Sequence, residues 1–405
     1  MREPGSSEEG IGHRSAGLTG SFGSYARELY LRGHAGETPL IPAAVDELER
    51  RAMAAMTPGA AAYIGAGAGS EDTMRANRAA FGRHRLVPRM MRDVAERELA
   101  TAVLGTAMPA PLLLAPIGAQ SIVDPEGELA SARAAAALGV PIVASSVSHF
   151  SLERIAEAAG PDAPRWFQFY WPSDARLAAS FVARAEAAGY TAIVLTVDTF
   201  VHGWKPRDLE LAWLPFMDGI GCGNYFEDPV FLEALERSPE EDQAAAVAHF
   251  FTVQGNPSIT WENLEQLREM TSLPILLKGF MHPDDAREAA RRGADGIVVS
   301  NHGGRQVDGA QAALDALPAI AEAVGEELTI LFDSGIRGGA DALKALALGA
   351  DAVCLGRPYI WGLTLAGEAG VDAVLRMTLA ELDLTMALCG LTAVDQIDAR
   401  VLVDD

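Results

Sequence analysis

Eight short apolar runs, alternating with alanine-rich segments of helical period, predict an α/β chain closed into a (β/α)8 barrel. Two further observations support this. The runs are apolar throughout, as strands covered on both faces are. The segments between them are long enough to be crossover helices. An open, doubly wound sheet is the other arrangement that the pattern allows.

In order, the runs are PLLLAPIG (111–118), VPIVASS (140–146), RWFQFY (165–170), TAIVLTVD (191–198), PILLKG (274–279), GIVVSN (296–301), LTILFDSG (328–335) and DAVCLGRP (351–358). Segments such as PDDAREAARRGA (283–294) and GGADALKALALGA (338–350) read as amphipathic helices. GAD recurs at two helix-to-strand junctions, where glycine suits a helix C-terminus. The stretch 199–273, after the fourth run, is too long for one connection and is expected to be a lid-like insert. Residues 21–104 are expected to form a helical extension that closes one end of a barrel spanning 105–405. Residues 1–20, rich in Gly, Ser and Glu with no apolar stretch, read as a disordered tail.

Bulk composition narrows the function. In 405 residues, 49% are hydrophobic, enough for a large core. The formal net charge of −23 argues against a nucleic-acid or anionic-membrane partner, so an anionic substrate must meet a local cluster of cations. No run is long enough to span a bilayer. Three scattered cysteines, Cys222, Cys354 and Cys389, form no metal-ligand pattern and fit neutral thiols in a reducing cytoplasm.

Barrels of this kind gather their chemistry at the C-terminal strand ends. The polar groups there are Ser145, Gln168, Tyr170, Thr196, Asp198, Lys278, His302, Arg305, Asp333, Ser334, Arg337 and Arg357, with Pro116, Ile117, Gly118, Gly335 and Gly356 among them. DSGIRGG and LGRP offer amides at a helix start beside Arg337 and Arg357, a pattern suited to phosphate. A phosphate implies a phosphorylated substrate or a cofactor such as FMN. Lys278 also permits a different chemistry, a Schiff-base lyase.

SNHGGRQ (300–306), with VDT upstream, LLKG before it and FDSGIRGG after it, resembles the FMN-dependent L-2-hydroxy acid oxidases and dehydrogenases. The likeness runs over about residues 22–402. FQFYWPSD (167–174), VDTFVHGWKPRDL (197–209) and GNYFEDPVF lean toward the lactate 2-monooxygenase branch. The resemblance implies a TIM barrel and a small 2-hydroxy acid, such as L-lactate, oxidised by O2. On that branch the keto acid is then decarboxylated; the alternative releases keto acid and H2O2. It also implies a homo-oligomer, tetramer or octamer.

It further implies roles. His302 would be the general base and Asp198 its partner. Arg305, Tyr63 and Lys205 would bind the substrate carboxylate, and Tyr170 its hydroxyl. Lys278 would sit at the flavin edge where negative charge builds. Pro116, Ile117 and Gly118 would approach the ring, and Ser145, Gln168 and Thr196 would bond it. Asp333, Ser334, Gly335, Arg337, Gly356 and Arg357 would hold the ribityl phosphate. Two departures from the family pattern stand out. Lys205 occupies a position that is commonly arginine. Gly118 replaces an alanine, which is expected to leave room for a side chain larger than that of lactate.

Overall fold

The computed structural model describes residues 21–404; the expected tail at 1–20 lies outside them. Eight parallel strands close into a barrel, in the order of the chain. They are β1 Leu112–Leu114, β2 Ile142–Ser145, β3 Arg165–Tyr170, β4 Ile193–Thr196, β5 Ile275–Phe280, β6 Gly296–Val299, β7 Thr329–Phe332 and β8 Ala352–Leu355. Each lies inside an apolar run expected from the sequence or overlaps it to within a residue. Strand β8 pairs back onto β1, which closes the cylinder and leaves no sheet edge. The open doubly wound sheet is thereby excluded.

The uniformly apolar runs have a simple cause. Leu113, Val143, Trp166, Val194, Leu276, Val298, Leu331 and Cys354 fill one cluster, the inside of the barrel. Their neighbours, such as Leu112, Ile142, Phe167 and Ile193, join the larger cluster with the surrounding helices. Side chains alternate between faces, but both faces are dry.

Four helices precede the barrel: α1 Ser24–His34, α2 Val45–Ala55, α3 Pro58–Gly65 and α4 Asp72–Arg83. Helices α3 and α4 reach the C-terminal mouth. The N-terminal end is instead stopped by a hairpin, Thr101–Val103 with Thr106–Met108. Val103 and Met108 pack into the barrel interior, and Trp166 Nε1 donates to Thr106 Oγ1 at 2.9 Å. The hairpin turn lies at Leu104–Gly105, both in the left-handed region, so the expected boundary at 104 falls inside it.

The insert after β4 is folded and stitched to the barrel. Its last helix, Trp261–Met270, is the ordinary crossover into β5. Asn224 Nδ2 donates to the carbonyls of Ser145 and Ser146, both at 3.1 Å, and its Oδ1 accepts from Leu152 N at 2.8 Å. Asp228, wholly buried, caps the helix Pro229–Glu233 through Val230 N at 2.8 Å. It also accepts from Ser180 Oγ at 2.7 Å and Arg184 Nη1 at 2.9 Å. Tyr225, Phe231 and Phe250 pack edge-on around this anchor.

Asp228→Ala uncaps a helix and removes one of two carboxylates from Arg184, which keeps Glu153. It is expected to lower stability by about 1–3 kcal/mol, measured by urea unfolding. A loss within about 0.5 kcal/mol, the range of an ordinary surface change, would contradict this account of the insert.

Candidate active site

Strand register brings the predicted groups to one rim. Tyr170 stands beside Thr196, Thr196 beside Lys278, and Ser145 beside Gln168. A cavity over that rim is lined by Tyr63, Pro116, Ile117, Gly118, Tyr170, Lys278, His302 and Arg305, and by Asp333, Ser334, Gly335, Arg337, Gly356 and Arg357. A chamber of about 390 Å³ under the insert adjoins it; Lys205 lines this chamber together with Tyr63, Tyr170, His302 and Arg305. Ser145, Gln168 and Thr196 lie just beneath, buried and bonded in series: Ser145 Oγ to Gln168 Oε1 at 2.9 Å, Gln168 Nε2 to Thr196 Oγ1 at 2.9 Å.

His302 Nδ1 lies 2.8 Å from Asp198 Oδ1, which also accepts from Thr199 Oγ1 at 2.7 Å. An ionised carboxylate only accepts, so Nδ1 carries the hydrogen and Nε2 keeps its lone pair. Burial alone would raise Asp198; His302 and Lys278 beside it outweigh that and hold its carboxyl well below the usual range. Burial pushes His302 down, and it outweighs the pull of Asp198. The pair therefore rests as carboxylate and neutral imidazole, the form a general base needs.

Lys278 is 4% exposed. Its Nζ donates to Ser300 Oγ at 3.0 Å and lies 3.4 Å from Asp333 Oδ2 and 3.7 Å from Asp198 Oδ2. Burial works against its charge, but the two carboxylates prevail and its pKa is raised. A Schiff-base nucleophile needs a neutral amine, so this lysine is set up as a fixed cation.

The loop after β6 is held in a costly shape. His302, Gly303 and Gly304 all have positive φ (57°, 65° and 76°). For a non-glycine residue that costs about 1–2 kcal/mol. Donation from His302 N to Ser300 Oγ at 3.0 Å and from Gly303 N to Ser334 Oγ at 3.0 Å offsets it. A Cβ on Gly304 would lie 2.6 Å from Met74 N, so α4 can dock only against glycine.

Two guanidiniums hang from the C-terminal end of α3. Arg305 Nη1 donates to the carbonyls of Tyr63 at 2.6 Å and Ala66 at 2.9 Å; Arg357 Nε donates to that of Ile64 at 3.0 Å. These are the orphan acceptors of a helix end, where cations are favoured. Among the described residues, no carboxylate pairs with Arg337 or Arg357. Burial, then Arg305 and Arg337, push Arg357 down to about 9, and burial pushes Arg337 to about 10. Two such cations call for an anion between them. A Cβ on Gly356 would find its nearest neighbour 4.0 Å away, in Ile117, so the backbone there borders open space. The helix that starts at Arg357 has no side-chain cap. The residues thus fit a phosphate-bearing group. One expected feature is corrected: at the other glycine-rich turn, Gly339 N is taken by Glu381 Oε2 at 2.8 Å.

The expectation for Gly118 also fails. A Cβ there would fall 2.3 Å from the Val147 carbonyl oxygen and 2.7 Å from Val147 Cγ2. The missing methyl makes room for Val147, not for substrate; space for a larger side chain lies in the chamber under the insert. Sequence reasoning had missed Ser300, Thr199 and Val147. Ser300 was visible inside SNHGG, but only the fold shows that its hydroxyl joins Lys278, Asp333 and His302.

The chain matches the FMN-dependent dehydrogenase family over residues 52–404. It is 44% identical over 376 residues to an L-lactate oxidase of Lysinibacillus sphaericus, covering 93% of this chain and 96% of that protein. To the 2-hydroxyacid oxidase 1 of Homo sapiens it is 41% identical over 367 residues, covering 88% and 95%. A crystal structure of mandelate oxidase with (S)-4-hydroxymandelic acid superimposes with a TM-score of 0.79 at 38% identity, covering 89% and 98%.

In the substrate-free protein, the His302 imidazole is expected to titrate below its ordinary value of 6.5, read by proton NMR. Asp198→Asn removes the attraction for the charged ring, so the midpoint moves lower still. A midpoint above 6.5 would contradict the neutral-base assignment.

Proposed function

The chain belongs to the FMN-dependent dehydrogenase family, and on that footing we propose that it oxidises an L-2-hydroxy acid such as L-lactate with O2, releasing keto acid and hydrogen peroxide. It is an FMN-dependent oxidoreductase of 2-hydroxy acids. The observation that carries the reading is the His302–Asp198 pair, with Nε2 left free beside Arg305.

Arg337, Arg357, Asp333, Ser334, Gly335 and Gly356 would hold the phosphate and its chain, with Pro116, Ile117, Gly118 and Lys278 along the ring. Ser145, Gln168 and Thr196 would bond the ring from below. When bound, FMN supplies the acceptor for two electrons. Arg305 and Lys205 grip the substrate carboxylate, and Tyr63 and Tyr170 bond the acid's oxygens. Tyr63 is pushed up to about 12 by burial, so it donates as a phenol. His302 Nε2 takes a proton from the substrate, and Asp198 stabilises the imidazolium that results. Lys278 supplies a positive charge that needs no reorganisation during the reaction.

The relatives reported above are named as oxidases. That favours peroxide release over the decarboxylating outcome suggested by lactate 2-monooxygenase-like motifs. The raised pKa of Lys278 weighs against the lyase. Among the described residues no helix is long and apolar enough to cross a membrane. All three cysteines are free, which fits a reducing compartment, and we place the protein in the cytoplasm. Exposed Phe200, Trp204 and Met217 around the mouth support a homo-oligomer, tetramer or octamer.

Holoenzyme given L-lactate and O2 is expected to yield peroxide and pyruvate in equal amounts, with no CO2, by parallel peroxide and gas assays. Stoichiometric CO2 without peroxide would move the chain to the decarboxylating branch.

A further inference from the structure

Resting on that functional reading, we infer that Asp208 is a positioning residue. It sets the charge of Lys205, and so the pH range over which the chain grips a substrate carboxylate.

Asp208 lies in the helix Pro206–Leu211, three residues after Lys205, which forms that helix's N-cap. It is 5% exposed, yet its buried Oδ2 bonds to nothing among the described residues. It lines the chamber under the insert, as do Lys205 and Arg305. Among the described residues, Lys205 Nζ reaches only its own loop, at the Gly203 carbonyl, 3.5 Å away. The chamber thus holds two cations and one orphaned carboxylate, and the single positive charge left over complements one carboxylate. A buried carboxylate with no hydrogen bond is costly unless it has electrostatic work to do. Here that work is to keep an ammonium charged beside a guanidinium.

The local charges bear this out. Burial, and then Arg305, push Lys205 down to about 8; Asp208 opposes both. Burial raises Asp208, and Arg305 and Lys205 restrain it. The other titratable groups facing the chamber are His202 from the same loop, Tyr63 from α3, Tyr170 from β3 and His302 from the loop after β6. Burial lowers both histidines and raises both tyrosines, which moves all four away from pH 8. Lys205 is therefore charged below about pH 8 and loses its hold on a carboxylate above it.

The test is calorimetric titration of the holoenzyme with pyruvate from about pH 6.5 to about pH 9.5. In the wild type, Kd is expected to rise on the order of tenfold through this range as a charge-assisted bond is lost. Lys205→Arg should abolish the rise while binding stays tight. Asp208→Asn should displace the rise to lower pH, with wild-type affinity or better at the acid end. A rise that persists in Lys205→Arg would overturn the proposal. So would an Asp208→Asn profile that overlies the wild type or is weakened equally at every pH, as plain structural damage would produce. L-lactate oxidation, assayed alongside, tests the functional reading separately. An inert enzyme with the expected pyruvate profile would defeat that reading and leave the Asp208 inference standing.

Discussion

One buried carboxylate organises the mouth of this barrel. Asp198 stands at the end of β4 with an imidazole on one side, 2.8 Å away, and an ammonium on the other, 3.7 Å away. It keeps the first correctly turned, while burial keeps that ring neutral, and it helps keep the second charged. Neither arrangement survives alone: a buried ammonium without carboxylates would give up its proton, and an imidazole without an acceptor at Nδ1 could turn its basic nitrogen inward. Base and fixed cation are thus defined by one residue from a different strand. Its Oδ2, which has no hydrogen bond among the described residues, faces the Lys278 ammonium.

The scaffold supplies the remaining constraints from unrelated parts of the chain. Helix α3, which precedes the barrel, turns its terminal carbonyls toward Arg305 and Arg357. Helix α4 presses against Gly304, and Asn77 exchanges two hydrogen bonds with Asn301, both at 2.8 Å. Asp308, further along the same loop, accepts from Ser70 N at 2.6 Å and Asp72 N at 2.7 Å at the start of α4. The strained loop that carries His302 is therefore clamped from both sides, as a preorganised site requires. The insert forms the opposite wall, rooted by Asn224 and Asp228 rather than hanging free.

Much of this was legible in the residues alone. Uniformly apolar runs located all eight barrel strands, because both faces of a closed parallel sheet are dry. The strand ends then gave the site, because the architecture sends them to one rim. What the sequence hid is tertiary. The hairpin that plugs the bottom is marked only by TAVLGTAM, which does not announce its position. Gly118 reads as space for substrate until Val147, a residue from the next strand's loop, proves to fill it. Glu381, far along the chain, takes an amide that the glycine pattern offered to phosphate. Asp208 looks like an ordinary helix residue until its burial and lack of partners are seen. In the first three cases the deciding neighbour is distant in sequence.

The central claim is that His302 accepts the substrate's proton while electrons pass to the bound flavin. The most direct measurement is the loss of visible absorbance when L-lactate is mixed anaerobically with holoenzyme, compared between wild type and His302→Ala. The account predicts rapid bleaching in the wild type. It predicts a variant that retains its yellow colour and FMN content but bleaches slower by a factor of about 10² or more. Bleaching of the variant at the wild-type rate would contradict it.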